Sequence, residues 1–160
     1  MNEFTEPLGT FAEFSIGIAG FAGIIAAFTS SQGGRELRLF RFRNLLITAF
    51  APGFLSILTI CFIYSGMSQA LSVRISSAVL LVYLLAWAVL VVKTMPAGAT
   101  ARMMTYFMWS ASLANMAFQV VSLNTFTYSA GWYFFGLFLL LLQAAVVFAS
   151  MALDTLMGDG

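Results

Sequence analysis

"EFSIGIAGFAGIIAAF", residues 13–28, is apolar enough to lie in a bilayer, yet it opens on a carboxylate, Glu13, and carries Gly17, Gly20 and Gly23 at intervals of three. On a helix Glu13, Gly17, Gly20, Ile24 and Ala27 share one face, and Ala12, Ile16, Ala19, Gly23 and Ala26 line the adjoining strip. Residues three and four apart are neighbours on a helix surface, which is why these sets cluster. Lipid tails are as apolar as leucine, so burial alone does not drive helices together in a membrane. Small residues do, because they let two backbones approach closely. The spacing therefore predicts a membrane helix gripped by another helix, in the same chain or in another subunit.

Composition sets the class. The chain has 160 residues, 61% hydrophobic and 8% charged, with a mean hydropathy of +0.97. Soluble domains carry about 25% charged residues, so this chain lacks the polar groups to cover itself in water. It reads as an integral membrane protein. A net charge of +1 offers no basic surface for nucleic acid. Histidine is absent and Cys61 stands alone, so neither a disulfide framework nor a metal cluster is expected from one chain. No cofactor is expected either.

Working outward from the first segment, roughly 20 apolar residues are needed to cross about 30 Å of hydrocarbon. Five segments qualify, at about 11–29, 44–64, 75–92, 103–123 and 132–153. The expected fold is an all-α, polytopic transmembrane helix bundle of five spans in a single membrane domain covering 1–160. The first and fourth segments are the least apolar, which leaves four spans as the alternative. The connection "SSQGGRELRLFRFR" carries Arg35, Arg38, Arg41 and Arg43, and "KTMPAGATAR" carries Lys93 and Arg102, whereas those near 65–73 and 124–131 carry no lysine or arginine. Basic loops lie on the cytoplasmic side, so the alternation predicts an N-out, C-in topology. Glu3 and Glu6, with no basic residue before the first span, argue against a secretory signal peptide. The four arginines read as a topology signal with snorkelling side chains. Interleaved with Leu39, Phe40 and Phe42, they also suit an interfacial segment that binds anionic lipid headgroups.

Within that topology Glu13 and Arg74 lie at similar depth near the outer surface, and an ion pair between them would offset part of the cost of burying either group. The fourth span carries Ser112, Asn115, Gln119 and Ser122 at steps of three, four and three, with Thr105 near its inner end. Amides in a span are costly unless they meet partners. Gln143 in the fifth span is a candidate, because counting from the hairpin loop at about 1.5 Å per residue puts it within roughly 5 Å of Asn115 in depth. The stripe is either an interhelical hydrogen-bond seam or one wall of a water-lined pathway. In the second span, Pro52 in "FAPGF" frees a carbonyl near residue 48, and Thr48, Ser56 and Thr59 are positioned to re-satisfy nearby groups. Trp132 suits an interfacial belt, and Trp87 and Trp109 sit deeper, between helices.

The chemistry for an enzyme is missing from the sequence. Only Glu13, of six carboxylates, falls within a span, no histidine is available as a base, and there is no phosphate loop. "GIAGFAGIIAAF", "RFRNLL", the proline of "FAPGF" and "VRISSA" resemble stretches of an uncharacterised family of small bacterial multi-span membrane proteins, over about the first half of the chain. The resemblance implies a bacterial inner (cytoplasmic) membrane. The family carries no established activity, so it assigns no site. The leading functional expectation is a small channel-like homo-oligomer that passes an ion or small solute, its pathway lined by the first or fourth span. The alternative is a non-conducting adaptor or accessory subunit of a larger membrane complex. A pathway calls for polar faces converging on a wet axis. An adaptor calls for those faces buried in dry helix contacts, with another surface left for a partner.

Overall fold

The computed structural model describes the backbone of residues 4–28, 35–94, 100–124 and 129–157, and the side chains of 4–24, 39–94, 106–124 and 130–153. The side chains of Arg35, Arg38 and Thr105 lie outside the described residues. Among those described, all regular structure is helical: α1 (Thr5–Phe28), α2 (Arg35–Tyr64), α3 (Gln69–Thr94), α4 (Thr100–Asn124) and α5 (Ser129–Met157). Each helix overlaps one expected span; α2 starts nine residues earlier, at Arg35, and α1 ends one residue short, at Phe28. A helix satisfies its own backbone groups, the only economical solution in hydrocarbon, and it continues into the interface beyond the apolar stretch.

Among the described residues, four of the five, α1, α2, α3 and α5, are long and apolar enough to cross a membrane. The α4 helix is the one left out, because Ser110, Ser112, Asn115, Gln119, Ser122 and Asn124 dilute its apolar residues. The surface is that of a membrane protein. Phe14, Phe21, Phe50, Phe54, Val82 and Leu113 point outward, while serine, asparagine and glutamine side chains are buried inside.

The α5 helix is the hub and touches all four others; α1 leans on α2 and α5, and α4 lies against α3 and α5. Two apolar clusters fill the interior. One joins Leu8, Leu55, Leu80, Leu84, Leu137 and Leu140. The other joins Ala22, Leu45, Trp87, Met108, Val147 and Met151. Trp87 is buried with its ring centroid 6.4 Å from that of Trp109, and Trp132 stacks on Phe118 at 5.0 Å.

The α2–α3 turn is fixed by local chemistry. Gly66 adopts φ +90°, a conformation open to glycine. The Gly66 N–H donates to the Ile63 carbonyl at 3.1 Å and the Met67 N–H to the Phe62 carbonyl at 3.2 Å. This is the Schellman pattern that closes a helix C-terminus. Ser68 then caps α3, its Oγ accepting the Leu71 N–H at 3.4 Å.

Candidate functional site

The polar residues of α4 do come together, along the α4–α5 contact. Asn115 Nδ2 donates to the Gly136 carbonyl at 2.9 Å. Gln119 Nε2 donates to Asn115 Oδ1 at 3.1 Å and to the Trp132 carbonyl at 3.3 Å. Gln143 Nε2 donates to the Met108 carbonyl at 2.9 Å and to Ser112 Oγ at 3.0 Å. Ser122 Oγ meets Ser77 Oγ of α3 at 3.1 Å. Ser112, Asn115, Gln119, Ser122 and Gln143 are each at most 1% exposed. Within one chain these groups form a buried interhelical seam. The amides are consumed by neighbouring backbone and hydroxyl groups, except Gln119 Oε1, which is buried without a partner.

One detail of the seam differs from the sequence-based register. The spacing makes Gln143 a candidate partner of Asn115, within roughly 5 Å in depth. A depth difference of about 5 Å is one helical turn, and it is enough to exchange partners: Gln143 meets Ser112, and Asn115 meets Gly136. Gly136 is the residue that sequence reasoning missed. A Cβ there would overlap Gln119 Nε2 and lie 2.6 Å from Asn115 Oδ1, so any larger residue would force the two amides to shift. The clue was its position seven residues before Gln143, on the same face of α5.

A second buried polar cluster was also unforeseen in its partners. Thr59 Oγ1 on α2 donates to the Leu55 carbonyl at 2.7 Å and lies 2.7 Å from Ser76 Oγ on α3 and 2.8 Å from the Tyr133 hydroxyl on α5. It pins three helices together. Near Pro52, Thr48 donates to the Asn44 carbonyl at 2.8 Å, and Ser56 Oγ is buried without a partner. It is Tyr83 of α3 that reaches the loosened turn, donating to the Ile47 carbonyl at 2.6 Å.

The glycines of α1 do the reverse of what an intrachain grip requires. Gly17, Gly20 and Gly23 are exposed, and an added Cβ at any of them would meet nothing within 4 Å. The buried face of α1 is instead the heptad series Leu8, Ala12, Ser15, Ala19 and Ala22. The close approach is made by Gly53 of α2, where a Cβ would come 2.9 Å from Ser15 Cβ. The adjoining strip expected from sequence is thus split, with Ala12 and Ala19 inward and Ile16 and Gly23 outward.

Glu13 is exposed on the glycine face. The expected partner, Arg74, lies on α3, whereas α1 packs mainly on α2 and α5. Arg41 and Arg43 are both half-buried at the opposite end of the bundle. Arg43 donates through Nη2 to Thr94 Oγ1 and sits over the Phe40 ring at 5.7 Å from its centroid. No family model, curated protein or solved structure matches this chain.

Proposed function

We propose that this chain is an assembly subunit of a membrane complex, a non-conducting bundle that associates laterally through the Glu13–Gly17–Gly20 face of α1, in the first instance with a second copy of itself. One observation carries the proposal: the small-residue face of α1 is left uncovered by the described residues of its own chain. In the α1 span 22% of the described residues are buried inside the bundle, against 39–44% in α2, α3 and α5. A membrane helix that gives up side chains on an uncovered face gains little from lipid and much from another backbone. The buried α4 seam supports the adaptor class over a pathway through the fourth span. The proposed setting is a bacterial inner membrane, with the basic loops on its cytoplasmic side, supported by motif resemblance and loop charge.

Glu13 favours one second reading. If several α1 helices meet about an axis, their carboxylates form a ring on that axis, the geometry of a small cation-selective oligomer. Two experiments on a Cys61-free chain test both. A single cysteine at Gly20 should cross-link between copies in native membranes, whereas one at Val82, which is 66% exposed on α3, should not. Purified protein in liposomes should pass no ions. Cross-linking at neither position would overturn self-association, and flux abolished by Glu13→Gln would favour the ring.

A further inference from the structure

We propose that the face between α2 and α3 is a phospholipid site, with Arg43 holding the headgroup phosphate and an acyl chain lying in the groove that runs away from it. This is independent of how α1 associates. The groove, about 680 Å³, runs along the outer side of α2 between α1 and α3. Ile47, Phe50, Phe54 and Ile57 of α2 line it, and Val79 and Tyr83 of α3 form the opposite wall. Arg43 lies on the same face of α2 as those residues, four, seven, eleven and fourteen positions before them. Thr94 and Leu90 lie on the same face of α3 as Tyr83 and Val79. One continuous strip therefore begins with a cation and continues as hydrocarbon.

Both ends of the strip fit the ligand. Polar groups along the groove are already paired: the Tyr83 hydroxyl donates to the Ile47 carbonyl and Ser15 Oγ to the Phe11 carbonyl at 2.7 Å. That leaves a dry surface for a chain and none for water. From Ile47 to Ile57 the strip is about 15 Å long at about 1.5 Å per residue, half of a hydrocarbon core about 30 Å thick. At its head Arg43 does not hang free like a topology charge. Thr94 Oγ1 and the Phe40 ring fix the half-buried guanidinium at the head of the strip. A positioned arginine is the side chain best matched to phosphate oxygens.

The probe is a palmitoyl-oleoyl phosphatidylglycerol added to the detergent-purified full chain, read as lipid retained in native mass spectrometry. Arg43→Lys keeps the charge and removes the fork, so retention should fall about tenfold. Val79→Trp fills the groove and should also lower retention several-fold. Lys93→Gln removes a neighbouring exposed charge and should change it less than about twofold. Glycerol 3-phosphate in excess should not displace the lipid. Thr94→Val, which frees the guanidinium without touching it, asks the same question if Arg43→Lys fails to fold. Retention at the wild-type level in both Arg43→Lys and Thr94→Val would overturn the headgroup site, and wild-type retention in Val79→Trp would overturn the groove. Displacement by glycerol 3-phosphate would reassign the site to a soluble phosphate.

Discussion

Asn115 on α4 donates its side-chain N–H to the Gly136 carbonyl on α5 at 2.9 Å, and the missing side chain of that same glycine is the space the amides occupy. The donor and the vacancy are two halves of one device. Gly136→Ala is therefore expected to destabilise the protein by roughly 1–3 kcal/mol through overpacking. Asn115→Ala should cost about 1 kcal/mol, the scale of an interhelical hydrogen bond in a membrane. Thermal unfolding in detergent measures both. A Gly136→Ala variant as stable as wild type would show that the amides have room to spare.

Tyr83 and Pro52 should be coupled. The carbonyl of Thr48 loses its N–H partner to the proline ring, and Tyr83 caps the adjacent Ile47 carbonyl. Tyr83→Phe should cost about 1 kcal/mol. The loss should be smaller when Pro52→Ala has restored the helical N–H, a non-additivity that a double-mutant cycle detects. Strictly additive losses would mean that the hydroxyl serves no purpose tied to the proline.

The five helices were legible in the sequence because apolar length is a strong signal and the basic loops punctuate it. The α4 stripe was legible as a face because serine, asparagine and glutamine recur at helical spacing. Its partners were not, since they include backbone carbonyls, at Met108, Trp132 and Gly136, which are the same in every sequence. The α1 glycines show the opposite failure. Spacing identified a small-residue face correctly but carried no information on which face its own neighbours use. The alanine and serine heptad opposite Gly53 took that role.

Glu13 and Arg74 should behave as strangers. Because α1 packs mainly on α2 and α5 and Arg74 is on α3, Glu13→Gln and Arg74→Gln should change stability additively, within about 0.5 kcal/mol. A coupling clearly above that value would mean that the two groups meet in the membrane.

The proposed orientation rests on loop charge. In a Cys61-free chain, cysteines introduced at 67–72 should react with an impermeant external reagent, and those at 39–43 should be protected. Labelling of 39–43 from outside would reverse the topology.

The uncovered face of α1 is the centre of the account, and Gly20→Leu addresses it most directly. Beyond its immediate helix neighbours, no described atom lies within 4 Å of a Cβ at Gly20, so leucine there should leave the thermal stability of a single copy unchanged. It should hold a second α1 away. Subunit number in lipid nanodiscs, read by native mass spectrometry, should fall from two or more in the wild type to one in the Gly20→Leu variant. A wild-type protein that is already a single copy, or a leucine variant that keeps its subunit number, would contradict assembly through this face.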